Sequence, residues 1–227
     1  MNYYLGDIEV KIEKKKIKNM HIYVRPPYGE VLVTAPKYVS DKQIKEFINE
    51  RADWIIKNVE KIKSSPVTPE PTYETGDVIS IWGELYTLNV FEDTRYSLTL
   101  NDNNTATLIV REGCTEEQKK SFMLEWYRQQ LTERVEILLP QWENYTGLHC
   151  SSWQSKTMTS RWGTCNTKTK KIWLNVRLAE HPVECLEYVI LHELAHTEVS
   201  NHGEDFKAIL NKFMPDWKEK KKVLNNP

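Results

Sequence analysis

Apolar and polar residues alternate strictly in two early stretches. In "NMHIYVRP", Met20, Ile22 and Val24 alternate with His21, Tyr23 and Arg25, and in "GEVLVTAP", Val31, Val33 and Ala35 repeat the pattern. A period of two marks strands with one buried face, and the Pro-Tyr-Gly between the runs supplies a turn, so a hairpin is expected. The period then changes. In "SDKQIKEFINERADWIIKNVEKI" the residues Ile44, Ile48, Ile55, Val59 and Ile62 recur at helical spacing behind a capping box of Ser40 and Gln43, which predicts one amphipathic helix packed on the hairpin.

"SSPVTPEPTYE", with Pro66, Pro69 and Pro71, carries neither period and is expected to be a linker at about residues 64–74. Beyond it, "DVISIWG", "ELYTLNVF", "RYSLTLN" and "TATLIVR" are short strand candidates, expected to form a small antiparallel sheet. From Thr115 the pattern is helical. "TEEQ" is a second capping box, and Leu124, Tyr127, Leu131, Val135, Leu138 and Trp142 form one stripe, with Pro140 marking a kink or an end. Two further strand candidates, "WQSKTM" and "KKIWLNVRL", flank the turn "SRWGTCNTKTK". A helix is expected from Pro182, a favoured first-turn residue, through His196, and a last one from about His202 to Met214, stopped by Pro215. The expected fold class is α+β. An antiparallel β-rich module with a packing helix spans 1–113, and a mainly helical domain with a small sheet spans 114–227.

Composition narrows the class. With 227 residues, 40% hydrophobic and 28% charged, the chain has the make-up of an ordinary globular protein. It holds no apolar run near the roughly 20 residues needed to cross a bilayer, and "MNYYLGDIEVKIEKKK" lacks the apolar core of a secretory signal, so a cytoplasmic location is expected. Cys114, Cys150, Cys165 and Cys185 include no Cys-x-x-Cys pair, which argues against a thiolate metal cluster and for four free thiols. A net charge of −1 argues against bulk electrostatic capture of nucleic acid. The basic cluster "KIEKKKIK", Lys11–Lys18, is the one local exception, and a lysine-guarded strand edge accounts for it.

The chemistry is concentrated in "LHELAHTEVSNHGEDF", where three of the six histidines fall within eleven residues. His192 and His196 are four apart, which on a helix stacks both imidazoles on one face, one turn apart, where they can grip one ion. Glu193 lies beside them, placed to reach an ion-activated water without ligating, as the His-Glu-x-x-His arrangement requires of a general base. On a continuous helix His202 would lie about 240° around from His196. Ser200-Asn201 breaks the helix, with Asn201 and Glu204 expected to cap the next one, so His202 can turn back as third ligand. Three histidines and an open fourth position form a catalytic rather than a structural site. Glu204 and Asp205 are candidates to orient a ligating histidine.

Taken together these residues resemble the YgjP-like family of zinc metallopeptidases, relatives of the SprT-like and gluzincin-type zincins. The likeness spans nearly the whole chain: "MHIYVRPPYGEVLVTAP" and "SDKQIKEFINERADWI" at one end, and "SRWGTC", "IWLNVRL", "HELAH" and "NHGEDF" in order at the other. It implies that the second domain is a zincin-like catalytic domain. It further implies that "KKIWLNVRL" is an edge strand above the zinc on which an extended peptide pairs. Asn175 and Arg177 would orient the substrate, and Arg161 and Trp162 would shape the cleft wall. The chain departs from the family pattern at Thr164, Val176, Gly203 and Lys207. None of these is a ligand or the base, so the departures bear on substrate preference.

The sequence therefore describes a zinc-dependent hydrolase, a metallopeptidase with one Zn2+ per chain on His192, His196 and His202 and with Glu193 as base. Its expected partner is a peptide or protein substrate. Two rivals stay open at this point: hydrolysis of a non-peptide bond such as a nucleotide phosphoanhydride, and a nucleic-acid-associated SprT-like module using Lys11–Lys18. Three imidazoles also accept several first-row ions.

Overall fold

A computed structural model describes residues 2–25, 28–64 and 71–225. The chain divides into two units, Met1–Glu70 and Pro71–Pro227.

In the first unit, β1 (Asn2–Leu5), β2 (Ile8–Lys15), β3 (His21–Arg25) and β4 (Glu30–Pro36) form a sheet in the order β1-β2-β4-β3. The expected hairpin is present as β3 and β4, paired antiparallel with Ile22 opposite Val33. Pro26 and Pro27, in the expected turn, lie outside the described residues. The module is not wholly antiparallel, however, because β2 and β4 run parallel, Val10 facing Val31. The chain crosses past β2 to make β3 and returns with β4 between them. β4 thereby becomes an interior strand, and its near-continuous apolar run, Val31 to Ala35, is buried throughout.

The helix expected as one piece is two, α1 (Asp41–Asn49) and α2 (Ala52–Ser64). Ser40 and Gln43 make the expected capping box. The break falls where the apolar stripe lapses: after Ile48 the next core side chain is due at 51 or 52, and those positions hold Arg51 and Ala52. Ile44, Ile48, Ile55 and Val59 pack with Val10, Ile12, Val31, Val33 and Ala35 into this unit's own core. Of the expected linker, residues 65–70 lie outside the described residues.

The second unit begins with β5 (Val78–Ile81), β6 (Glu84–Asp93), β7 (Ser97–Leu100) and β8 (Thr105–Arg111), ordered β5-β6-β8-β7. This sheet is also mixed, since β6 and β8 are parallel. α3 (Glu116–Thr146) starts at the Thr115–Gln118 capping box, continues through Pro140, and ends at Gly147 in the left-handed conformation, φ 73°. Ile79, Ile81, Leu88, Leu108 and Val110 of the sheet are buried in the same core as Met123, Tyr127 and Leu131 of α3. Tyr127 also donates to the Ser80 carbonyl at 3.0 Å. These strands need α3 to cover their apolar face, so the boundary expected at 113–114 falls instead at 70–71.

The last third holds β9 (Ser152–Lys156), β10 (Gly163–Asn166) and β11 (Lys171–Asn175), in the order β10-β11-β9. A 3₁₀ turn (Val176–Glu180) leads to α4 (Val183–Ala195), α5 (Glu204–Phe213) and α6 (Trp217–Asn225). Part of the stretch read as a turn, Gly163–Asn166, is therefore a strand, and β11 is the central strand, not the edge implied by the resemblance. No helix among the described residues is long and apolar enough to cross a membrane.

Candidate metal centre

α4 is apolar almost all round, and its buried residues include Leu186, Val189, Ile190, Leu191 and Leu194. Burial on most sides fixes its rotation, so that Tyr188, His192 and Glu193 are presented in one place. His196 is its C-cap. Thr197 closes the helix end, its backbone N–H and hydroxyl both donating to the Leu194 carbonyl at 2.9 and 2.7 Å.

The chain then turns back. Asn201 does not cap α5: its side-chain oxygen accepts from the Gly203 N–H at 2.8 Å, and Gly203 is the N-cap. His202 accordingly precedes α5 instead of lying in its first turn. Its Nε2 is 3.1 Å from Nε2 of His196 and 3.1 Å from Nε2 of His192. Two ligands on a tetrahedral ion at zinc–nitrogen distances of about 2.0–2.1 Å stand about 3.3 Å apart. Both spacings to His202 are close to what one such ion requires, all three ring nitrogens lie within 4.8 Å of one another, and they are the one cluster of this kind among the described residues. Phe206, buried in α5, sits against all three rings, with centroids 4.8, 4.7 and 4.7 Å from those of His192, His196 and His202.

The second nitrogens have partners that the sequence reading did not name. Nδ1 of His196 is 2.9 Å from the Val199 carbonyl, so it carries the proton and donates it there, leaving the Nε2 lone pair free. Nδ1 of His192 is 3.4 Å from the Tyr188 hydroxyl. Glu204 instead pairs with Lys207 at 2.9 Å, and Glu198 with Lys170 at 2.9 Å. Burial, the neighbouring imidazoles and Lys221 push His192 down to about 3, so its ring is in the uncharged form that can bind a cation. His202 is shifted in the same direction by burial, then by His196 and Lys221.

Glu193 is 4% exposed, and its Oε2 has no hydrogen-bond partner among the described residues. Burial raises its carboxyl to about 8, with Arg161 acting against the shift. A buried carboxyl group with an unpartnered oxygen is costly to keep, and here it stands beside three convergent imidazoles. The chemistry of the donor set fits a single first-row ion such as zinc.

A cleft of about 500 Å³ contains this constellation, and its lining includes Arg161, Trp162, His192, Glu193, His196 and His202. Asn175 and Arg177 do not line it. Asn175 is buried and donates to the carbonyls of Met158 and Arg161, both at 2.8 Å, while its oxygen accepts from the Arg177 N–H at 3.2 Å. It braces the segment that leads to Arg161. Arg177 is exposed and paired with Glu180 at 3.0 Å. β10, one of the two edge strands of its sheet, contributes Gly163, Thr164 and Cys165 to the cleft. Cys165 is pushed up to about 11 by burial and then by Glu193, so it stays a thiol. All four cysteines are free.

The sequence reading also missed α6, which supplies Lys221, Leu224 and Asn225 to the cleft. Trp217 and Leu224, one heptad apart after Pro215, were the available signal. In the first unit the basic cluster is largely matched by acids: Lys11 pairs with Glu30 at 3.9 Å, Lys14 with Asp41 at 2.7 Å and Lys15 with Glu13 at 2.6 Å.

Residues 18–227 match the YgjP-like, metallopeptidase domain family. Among solved structures, the metallopeptidase zymogen of Pyrococcus abyssi abylysin is 24% identical, covering 40% of this chain and 90% of that one, with a TM-score of 0.37. The zymogen of Methanocaldococcus jannaschii jannalysin is 26% identical, covering 40% and 94%, with a TM-score of 0.36. Comparison with curated proteins gives no match.

Proposed function

We propose, from the premise that this chain belongs to the YgjP-like family of metallopeptidases, that it hydrolyses peptide bonds with one zinc ion held by His192, His196 and His202 and with Glu193 as general base. Membership makes the chain a peptidase-type hydrolase; the identity of the ion and the role of Glu193 are what is proposed. The observation that supports both is the approach of three imidazole Nε2 atoms to one another beside a buried carboxylate oxygen that has no partner.

When bound, zinc supplies a Lewis acid that lowers the pKa of water to about 7 and polarises a carbonyl. The chain supplies the rest. His192 and His196 are held in orientation through Nδ1 by Tyr188 and the Val199 carbonyl, and Phe206 packs against all three rings. Glu193, with its pKa near neutrality, takes a proton from the attacking water at a carboxylate oxygen and passes it to the departing amine. The backbone edge of β10 accepts the substrate as an added strand, and Arg161 and Trp162 form the wall beside it. Asn175 acts on this wall from behind, through the Arg161 carbonyl.

Metal content of protein purified without chelator, measured together with two variants, tests this reading. One zinc per chain is expected. Glu193→Gln should keep the zinc and lose about 10²–10⁴ in kcat. His202→Ala should weaken zinc binding by more than the about 10–100-fold that loss of an outer partner costs. Turnover retained in zinc-loaded Glu193→Gln would remove the base, and unchanged affinity in His202→Ala would place the third ligand elsewhere.

A further inference from the structure

Three acidic or basic side chains line the cleft besides the histidines: Arg161, Glu193 and Lys221. Glu193 is buried, whereas Arg161 and Lys221 are exposed, so the charge offered to an entering substrate is positive. Several cations nearby are already matched. Lys220 pairs with Asp216 at 2.7 Å, Lys207 with Glu204 and Lys170 with Glu198. Lys221 has no carboxylate within ion-pair distance among the described residues, and neither has Arg161.

Lys221 is also placed. Its ammonium lies over the Trp217 ring, 5.9 Å from the centroid. Trp217 is stacked on Tyr188, with centroids 6.3 Å apart and planes within 9°, and the Tyr188 hydroxyl is 3.4 Å from His192 Nδ1. A run of ring contacts therefore joins Lys221 to a metal ligand. A long cationic side chain leaning on an aromatic face gives up less freedom when it captures a ligand than one waving in solvent.

We propose that Lys221 binds a carboxylate of the substrate near the scissile bond, so that the enzyme prefers peptides carrying an acidic group there. The proposal rests on the metallopeptidase reading above and names its substrate class. Peptide backbone is neutral and gains little from unmatched cations, whereas a carboxylate complements them and is steered in by them. That carboxylate comes either from an Asp or Glu side chain or from the free C-terminus of a short peptide. Arg161 adds to the same field from the segment preceding β10.

Binding to the zinc-loaded E193Q protein tests this without relying on turnover. Calorimetry would compare short peptides differing only in Asp against Asn at one position, each with a free and an amidated C-terminus. A carboxylate-bearing peptide is expected to bind about fivefold tighter than its neutral partner, as for a single exposed-to-half-buried ion pair, with the advantage shrinking as salt is added. Whichever pair shows the difference, Asp/Asn or free/amidated, identifies the source of the carboxylate. In E193Q/K221M the difference should vanish, and in E193Q/K221E it should reverse in favour of Lys-containing peptides. Lys221 is exposed, and an unchanged melting temperature would verify that these variants fold. No preference in the Lys221-intact protein would overturn the proposal. A preference surviving in K221M would also overturn it, by placing the carboxylate on the metal or on Arg161. Zinc-loaded wild type that hydrolyses no peptide while the preference persists would overturn the catalytic reading and uphold the anion site.

Discussion

Gly163 and Glu193 touch so closely that any side chain at position 163 would have to displace the Glu193 carboxyl group. A Cβ there would lie 2.7 Å from Glu193 Oε1, 2.8 Å from its Cγ and 2.9 Å from Val189 Cγ1. The glycine lies in β10 and gains nothing from conformational freedom; it is needed because the edge strand runs directly against the carboxyl group of Glu193.

Gly163→Ala should therefore displace Glu193 while leaving the three histidines in place. The expected outcome is a loss of at least about tenfold in kcat, since misplacing a catalytic group by an ångström costs up to about a hundredfold. Zinc content should stay at the wild-type value. Single-turnover hydrolysis and metal analysis on the same preparation check both halves. Full activity in the alanine variant would mean that β10 and α4 can separate at no cost.

This contact shows where sequence reading stops. His192, Glu193 and His196 are legible because helical geometry alone places residues four apart on one face, and His202 because Ser200-Asn201 forces a turn. Gly163 lies within "SRWGTC", a stretch whose composition predicts a turn. Its four-residue strand has no apolar alternation of its own and exists through pairing with β11, Gly163 opposite Leu174. Periodicity reports which face of a strand is buried, not which strand lies beside it, and for that reason the parallel pairs β2–β4 and β6–β8 were also missed. The boundary at 70–71 depends on α3 covering β5–β8, a relation between segments distant along the chain. Asn175 is the opposite case: its place in a motif suggests contact with substrate, while its side chain hydrogen-bonds to backbone.

Asn175→Ala should behave as a loss of support. The carbonyls of Met158 and Arg161 and the Arg177 N–H, all in part-buried hydrogen bonds, lose their partner together. A hydrogen bond of this kind contributes about 0.5–1.5 kcal/mol, so the denaturation midpoint should fall. The segment carrying Arg161 and Trp162 would loosen, which should raise KM more than it lowers kcat, with zinc affinity unchanged. Denaturant titration and steady-state kinetics decide the point. A large fall in kcat at unaltered stability would instead place Asn175 on the substrate.

His181 gives the fold a specific weakness to acid. It is buried, its ring meets Trp162 edge-on at 4.7 Å, and its Nε2 has no partner among the described residues. Burial and then Arg177 push its pKa down to about 4 from an ordinary value of 6.5. Above pH 6.5 the ring is neutral in both folded and unfolded chains and contributes no pH dependence. Between 6.5 and 4 the unfolded chain takes up the proton and the folded chain does not, so stability falls as the pH drops; below 4 the loss is complete. Its size is about 2 kcal/mol after allowing for solvent screening. His181→Leu removes both the titrating ring and the orphaned nitrogen. Denaturant unfolding of chelator-treated wild type and variant at pH 7.5, 6, 5 and 4.5 isolates this residue, because the two proteins differ at no other position. The variant should match or exceed wild type at pH 7.5 and lead by a widening margin towards pH 4.5. A constant difference across the series would show that His181 keeps an ordinary pKa and that the acid weakness lies in other groups.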